Sequence, residues 1–171
     1  MPEEVSLFLL EDGLEKDMII NICGYDVLIS ACDAIRILSK KWHIINGQKN
    51  VYFSQTYREN SKVKQLKLHR YIVDCPYDMD VDHINCNTLD CRRENLRICT
   101  RAENNRNRVK SQKNTSGFKG VRWRKKEKKW VAEISHNNKK IHLGYFDTPE
   151  RAHEAYTIAS EKYHKEFGRI A

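Results

Sequence analysis

Apolar and polar residues alternate along three stretches near the C-terminus, FKGVRWR, KWVAEIS and KKIHLGYF. A period of two is typical of a β-strand with one buried face. Asn137 and Asn138 separate the last two stretches, and Asn tolerates the positive φ of a two-residue hairpin turn. The pattern therefore predicts a three-stranded antiparallel sheet, with Trp123 and Trp130 on its apolar side, in the core.

A helix is predicted directly after this sheet, in TPERAHEAYTIASEKYHKEF. Thr148 is placed to cap its N-terminus, and Pro149 suits the first helical position. Residues at helical spacing are Ala152, Ala155, Tyr156, Ala159 and Tyr163. We expect them to pack on the apolar face of the sheet, which leaves its cationic face to solvent or a partner.

The N-terminal part has only short stretches with a strand or helix pattern. MIINICGYDVLIS predicts two strands joined at Gly24, and SACDAIRILSKKW predicts a helix with Ser30 as N-cap. NVYFSQTYREN and KVKQLKLHRYIV predict a hairpin with its loop near residues 59–61. No catalytic constellation is evident here, so we interpret the region as scaffold or DNA-contacting platform, and His69 as a packing or capping residue.

Residues 79–110 predict a strand–loop–strand–helix unit. MDVDHI and LRICT have the alternation of short strands, and the polar stretch NCNTLDCRREN separates them. Thr100 and Glu103 form a capping box, which places the start of a helix in TRAENNRNRVK. The small, polar stretch SQKNTSG is expected to be a linker.

Charge is unevenly distributed along the chain. Residues 1–60 carry six Lys/Arg and nine Asp/Glu, whereas residues 61–171 carry 25 and 14. A charge run is most often a solvated face, but this one accompanies aromatic residues and Asn-rich helix ends, which favours phosphate contact. No apolar run has the roughly 18–20 residues of a membrane span. MPEEVSLFLLEDG lacks the basic start of a signal peptide. We therefore expect a soluble cytoplasmic protein.

Six cysteines raise the question of a zinc site. Cys75, Cys86, Cys91 and Cys99 are separated by ten, four and seven residues, which match no common zinc spacing. Small buried thiols are the favoured interpretation, and zinc is not expected as a cofactor.

The stretch DHINCNTLDCRRENLR, residues 82–97, contains the groups that phosphodiester hydrolysis needs. A histidine titrates near neutrality and suits the deprotonation of water. A divalent ion neutralises charge on the phosphate, and hard ions prefer carboxylate and amide oxygens. At a strand end Asp82 can bind the ion while His83 addresses the water. Asn104, on the following helix, can add a second oxygen, and Asn95 can hold the loop by hydrogen bonds.

These residues resemble the HNH endonuclease motif of phage and intron-encoded homing endonucleases, whose core is the ββα-metal fold. Asp82-His83-Ile84-Asn85, Asn95-Leu96-Arg97 and Asn104-Asn105-Arg106-Asn107 follow the family pattern in order. The resemblance implies that His83 is the general base, Asp82 and Asn104 bind Mg²⁺ or Mn²⁺, and Asn95 is the middle structural residue. The third signature position is Asn instead of His. Phosphate contacts are expected from Arg93, Arg97, Arg106, Asn107 and Arg108.

Residues 116–168 resemble the apetala-type (ethylene-response-factor) DNA-binding domain, in which a three-stranded sheet enters the major groove. The resemblance implies base-facing roles for Arg122, Arg124, Glu133 and His142, and places Lys119, Lys129 and Lys140 nearer phosphate. His142 stands where the family usually has Trp, and Ser135 where it usually has Arg. The recognised sequence is therefore expected to differ from that of plant relatives.

The expected class is α+β, with a small N-terminal strand and helix region, a ββα-metal core, and a C-terminal three-stranded antiparallel sheet packed on one helix. The expected divisions are an N-terminal scaffold or DNA-contacting region (1–63), the nuclease core (64–110), the linker (111–117) and the DNA-binding domain (118–171).

The expected function is site-specific, divalent-metal-dependent cleavage of double-stranded DNA, with one nick per active site and a 5′ phosphate as product. The protein is expected to be a monomer, with a dimer as the alternative, and the resemblance implies a phage or mobile-element origin. Two other functions stay open at this point: a catalytically inactive, sequence-specific DNA-binding regulator and a zinc-stapled RNA-binding protein.

Overall fold

The computed structural model describes residues 16–46, 50–111 and 114–170. The stretch MPEEVSLFLLEDG, which bears on the signal peptide, lies outside the described residues. The chain forms two compact units, Met1–Arg101 and Ala102–Ala171. Both combine strands with helices, so the expected α+β class is confirmed. Within the described ranges, no helix has the length and apolar character needed to cross a membrane.

Among its described residues, the first unit contains nine strands and helices. In chain order they are β1 (Asp17–Ile22), β2 (Tyr25–Ser30), α1 (Ala34–Leu38), β3 (His43–Asn46), β4 (Val51–Glu59), β5 (Lys62–Lys67), α2 (Leu68–Ile72), β6 (Asp80–His83) and β7 (Leu96–Cys99). Short 3₁₀ turns lie at Ala31–Asp33 and Arg93–Asn95. Helix α3 (Arg101–Asn107) begins at the boundary, and the second unit continues with β8 (Val121–Arg124), β9 (Lys129–His136), β10 (Lys139–Phe146), α4 (Pro149–His164) and a 3₁₀ turn at Lys165–Phe167.

Two predicted hairpins of the first unit are confirmed. β1 and β2 pair antiparallel around Cys23 and Gly24, which have φ angles of 53° and 84°. β4 and β5 pair around Asn60 and Ser61, which also have positive φ, and β3 adds to the other edge of β4. Paired positive φ angles are those of tight hairpin turns, which match the twist of the strands.

Two other elements differ from their predictions. Ser30 stands at the N-cap of the 3₁₀ turn Ala31–Asp33 but its side chain makes no capping bond, because its hydroxyl accepts a hydrogen bond from the backbone N–H of Arg93 at 3.1 Å. The predicted α-helix begins only at Ala34. The predicted strand through KLHRYIV is wrong, since β5 ends at Lys67 and the chain then turns into α2. Leu68 and Ile72 lie four residues apart and both enter the core, as one face of a helix requires.

The loop between β6 and β7 is fixed to the rest of the first unit. Val81 and Leu96, on the two strands, belong to the same apolar core as the β1–β2 hairpin, α1 and α2. The backbone N–H of Leu28 on β2 donates to the carbonyl of Leu89 at 2.9 Å, and its carbonyl accepts from Cys91 at 2.7 Å. A long polar loop is thereby ordered by strand-like bonds to β2.

The second unit has the predicted sheet, in the order β10–β9–β8, with α4 packed on one face. Asn137 and Asn138 form the predicted turn with φ angles of 49° and 60°, and the Thr148 hydroxyl accepts from the N–H of Arg151 at 3.3 Å. The core consists of Val121, Ala132, Ile134, Ala152, Tyr156 and Ala159. The predicted packing of small residues against the sheet is therefore confirmed for Ala152 and Ala159.

The predicted core position of Trp123 is wrong. Its side chain is 43% exposed, although it pairs with Trp130, which packs against the core. The two rings meet edge to face, with centroids 5.2 Å apart. Trp123 lies on the apolar face of the sheet, as predicted, but near the end of the short strand β8. Alternation predicts which face a residue lies on, but not how much of that face the helix covers.

Candidate nuclease site and DNA-binding face

Strand β6 ends with Asp82 and His83, and both side chains are nearly buried, at 5% and 6% exposure. Arg97 faces Asp82 across the β6–β7 pair. Its Nη2 and Nε atoms donate to Asp82 Oδ2 at 2.7 and 2.9 Å. A carboxylate taken out of water needs such a partner to keep its charge. Arg97, predicted as a phosphate contact, thus lies against the predicted metal ligand.

His83 lies among groups from three other elements. Its Nε2 atom is 3.9 Å from the sulfur of the buried Cys91, in the β6–β7 loop. Its ring centroid is 5.2 Å from that of His69 on α2 and 6.5 Å from that of Tyr52 on β4. Burial lowers the pKa of His83 to about 4, against an opposing effect of the charges on Asp82 and Asp90. The imidazole is therefore neutral at pH 7, as a proton acceptor must be.

Asn95 bridges both ends of the β6–β7 loop. Its amide nitrogen donates to Asn85 Oδ1 at 3.0 Å and to the carbonyl of Asp90 at 2.7 Å. Its amide oxygen accepts from the N–H of Asn85 at 3.0 Å, and its carbonyl accepts from the N–H of Ile84 at 2.9 Å. The residues that follow His83 are thereby tied to the start of β7.

Two ion pairs stabilise the same loop, one within it and one to the turn before α1. Asp90 accepts from Arg92 Nε and Nη2, both at 2.9 Å, and the Arg92 guanidinium holds the pKa of that carboxyl below its usual value. Arg93 donates to both oxygens of the buried Asp33 at 2.7 Å. Arg93, predicted as a phosphate contact, thus also connects the loop to the turn before α1. Neither acidic partner has a motif or spacing that identifies it in the sequence.

The face of the β8–β10 sheet opposite α4 carries the residues predicted to face DNA bases. Arg122 and Glu133 form an ion pair, with Nη2 to Oε1 at 2.8 Å and Nε to Oε2 at 3.2 Å. Lys140 and His142 on β10 are exposed. The alternation in KWVAEIS places Val131 on this polar face, opposite to Trp130, but Val131 is only 1% exposed because it lies on the central strand between Arg122 and Tyr145.

Tyr145 was not predicted on this face. An irregularity in the β9–β10 register between His142 and Gly144 moves Tyr145 next to His142, with ring centroids 4.7 Å apart. Tyr145 is exposed, so the face presents an aromatic ring among its polar groups. Gly144 is the only sequence signal for such a bulge, because glycine accepts its φ of 136°.

Three of the other basic residues have partners in the second unit. Lys129 pairs with Asp147 at 2.5 Å, and Arg124 lies 3.4 Å from Glu127. Lys119, predicted near phosphate, donates its Nζ to the carbonyls of Arg106 and Arg108 at 2.5 and 2.9 Å, at the C-terminal end of α3. A lysine at this end of a helix satisfies carbonyls that have no partner within the helix.

Comparison with known proteins agrees with this geometry. Residues 74–106 match the family model described as HNH endonuclease, and residues 116–166 match the AP2 domain. The chain therefore contains a segment similar to HNH endonucleases and an AP2 domain. It is 29% identical over 133 residues to the uncharacterized HNH endonuclease L560 of Acanthamoeba polyphaga mimivirus, covering 74% of this chain and 68% of that protein.

A second relative is Protein 3.8 of Escherichia phage T7, which is 32% identical over 90 residues, covering 53% of this chain and 74% of that protein. No solved structure matches the chain. Both resemblances inferred from the sequence are confirmed, and the family supports a nuclease and DNA-binding role.

HNH nucleases generally use a divalent metal ion, and the donor types present in this chain fit one. Asp82 supplies a carboxylate, and Asn104 has an amide oxygen. Mg²⁺ accepts such a small set because it keeps several waters and binds substrate phosphates. Among the described residues no group of three or more His, Cys, Asp or Glu side chains is placed to hold a metal. Of the four cysteines considered for zinc, Cys91 and Cys99 are buried and Cys75 and Cys86 partly buried.

The candidate site residues fall into both units. Asp82, His83 and Asn95 lie together in the first. Asn104, Arg106 and Asn107 lie on α3 in the second, where Asn104 and Arg106 are half-buried and Asn107 is buried. Sequence reasoning missed Cys91 and Tyr52 beside His83, since neither has a spacing that marks it.

Proposed function

We propose that this protein is a divalent-metal-dependent endonuclease that hydrolyses phosphodiester bonds in double-stranded DNA. The observation that carries the proposal is the geometry at the end of β6. A neutral, buried imidazole follows directly after a carboxylate, and Asn95 ties the adjoining loop at both ends. A DNA-binding protein without catalysis has no need for this combination.

His83 is the proposed general base, acting through Nδ1. Its Nε2 faces the sulfur of Cys91, and burial raises the pKa of that thiol to about 12, so the thiol stays neutral. With the ring proton on Nε2, Nδ1 takes a proton from water. The water oxygen then bonds to the scissile phosphorus as the P–O3′ bond breaks. Solvent water supplies a proton to the departing oxygen, so the products are a 3′-hydroxyl and a 5′-phosphate.

Asp82 and Asn104 are the proposed ligands of Mg²⁺ or Mn²⁺. A bound divalent ion stabilises negative charge on the phosphate and on the departing oxygen. Asn95 keeps His83 in place by holding its loop. Arg97, beside Asp82, would balance the charge of that carboxylate and contact phosphate when the ion is bound.

Sequence specificity is proposed to come from the polar face of the β8–β10 sheet. Arg122, Arg124, Glu133 and His142 would read bases, and the phosphate contacts would come from Arg93, Arg97, Arg106, Asn107, Arg108, Lys119, Lys129 and Lys140.

We propose a nuclease core at 64–110, a linker at 111–117 and a DNA-binding domain at 118–171. A single site in a monomer would nick one strand. The viral and phage origins of the relatives support a mobile or phage-borne gene.

The test is relaxation of supercoiled plasmid by the full chain in Mg²⁺ or Mn²⁺. Wild-type protein should produce nicked circles, and His83→Ala should lower the rate by about 100- to 10,000-fold without loss of DNA affinity. His43→Ala, which removes an exposed histidine of the same unit, is the matched control and should leave the rate unchanged. If the wild-type protein bound DNA but did not cleave it, the nuclease function would be refuted. The protein would then be a DNA-binding regulator without catalytic activity.

A further inference from the structure

His69 is a second buried histidine beside the proposed base. It lies on α2 and is 7% exposed. Its ring meets those of His83 and Tyr52 edge to face, with centroids 5.2 and 5.5 Å apart. Within the described residues, its side chain takes part in ring contacts and electrostatic interactions but in no hydrogen bond.

The position of His69 is strongly fixed. Leu68 and Ile72, on either side of it in α2, are fully buried in the core. Arg70, the next residue, donates to the carbonyls of Met79 and Pro76 at 2.5 and 2.7 Å, which ties α2 to the segment leading into β6. The ring is therefore held at a set distance from the strand that carries His83.

Packing alone does not require an imidazole at this position, because a phenyl ring would fill similar space. Neither ring nitrogen of His69 is a fully buried polar atom that lacks a partner, so the ring keeps an accessible polar edge beside the proposed base. A few polar groups among apolar side chains are typical of sites that bind a ligand. Burial lowers the pKa of His69 to about 3, with smaller effects from His83, Lys67 and Arg70, so the ring stays neutral and keeps one N–H to donate.

We propose that His69 is a further catalytic residue, whose ring N–H donates a hydrogen bond to an oxygen of the scissile phosphate while His83 activates the water. This inference rests on the proposed function. A donor aimed at an oxygen on which charge develops stabilises the transition state more than the ground state.

The test compares His69→Phe with wild type in single-turnover cleavage of supercoiled plasmid. The phenyl ring keeps the contacts with Tyr52 and His83 but has no N–H. The cleavage rate should fall about a hundredfold, while the affinity for uncut duplex in EDTA falls far less, because the N–H stabilises the transition state more than the bound substrate. The urea midpoint should stay equal or rise. His43→Phe, at an exposed position, should change none of the three. Wild-type cleavage by His69→Phe would overturn the proposal, and so would a rate loss explained by a fall in the urea midpoint.

A second measurement does not depend on cleavage. The ring ¹⁵N resonances of His69 in wild-type protein should shift when duplex DNA is added in EDTA, because the N–H then meets a phosphate oxygen. Unchanged resonances under saturating DNA would refute the proposal. If the wild-type protein cut no DNA at all, the nuclease function would fail, and this measurement would still decide whether His69 meets the phosphate.

Discussion

Asp82 and Arg97 face each other across the β6–β7 pair, and the guanidinium lies 2.7 Å from the carboxylate. Both side chains are largely buried. The pair gives Asp82 the positive neighbour that a buried carboxylate requires. A divalent ion would also supply positive charge. Arg97 and the proposed metal ion would therefore both stabilise the Asp82 carboxylate.

Removing the guanidinium of Arg97 should show how far the buried Asp82 carboxylate depends on it. Arg97→Met leaves Asp82 buried beside an apolar side chain, and we expect the free energy of unfolding to fall by about 3 kcal/mol. Urea denaturation in EDTA measures the loss. Arg58→Met, at an exposed position on β4, is the control and should cost under about 0.5 kcal/mol.

Metal should partly replace the missing guanidinium. Millimolar Mg²⁺ is expected to raise the urea midpoint of Arg97→Met, but not that of the double variant Arg97→Met/Asp82→Asn, which no longer carries the charge. An equal effect of Mg²⁺ on both proteins would show that Asp82 is not a ligand.

Acid should destabilise the first unit through its two buried histidines. Burial lowers the pKa of His83 to about 4 and of His69 to about 3, whereas an unfolded histidine titrates near about 6.5. Between these values the unfolded chain binds more protons than the folded one, so the free energy of unfolding falls as pH decreases below about 6.5. Above about pH 6.5 these two histidines no longer make the free energy of unfolding depend on pH.

Urea midpoints at pH 7.5 and pH 5 test this effect. The wild-type protein should lose more stability between the two values than His69→Phe, which has one buried histidine fewer. His43→Phe should lose as much as wild type. Identical losses in wild type and His69→Phe would show that burial does not lower the pKa of His69.

Salt should weaken DNA binding steeply, because Lys and Arg displace counterions from phosphate. Lys140→Ala, which removes an exposed proposed phosphate contact on β10, is expected to lower affinity and to reduce the slope of log K against log salt by up to about one unit. Arg151→Ala, an exposed change on α4, is the control. Fluorescence anisotropy over a range of KCl concentrations measures both, and a flat response of the wild-type protein would contradict phosphate binding.

Gly120 should tolerate no side chain. An added Cβ would lie 2.2 Å from two ring carbons of Tyr156, which is buried beneath the sheet. Gly117 has a similar φ, 79° against 74°, but open space around it. Gly120→Ala is expected to cost about 2 kcal/mol more than Gly117→Ala, because only the former adds overpacking to backbone strain. Thermal unfolding of the two variants gives the difference, and equal midpoints would refute the close contact.

Local features were readable from the sequence. The β8–β10 strands follow from alternation, their hairpin from Asn137 and Asn138, and the start of α4 from Thr148, because each depends on neighbours within a few residues. The extent of α1 and the helix at LHRYI were not readable. In the first case Ser30 accepts a hydrogen bond from Arg93, and in the second the apolar face of α2 packs into the core of the unit. Both interactions involve residues that are distant in the sequence.

By itself the sequence determined the HNH and AP2 motifs, the alternating strands and the basic second half, since these are written in residue order and spacing. Only the tertiary structure decided that Arg97 lies on Asp82, that Cys91 and His69 flank His83, and that a bulge brings Tyr145 to the polar face. These contacts depend on the register of paired strands and on which segments share a core. Both are settled when distant parts of the chain bury their apolar faces together.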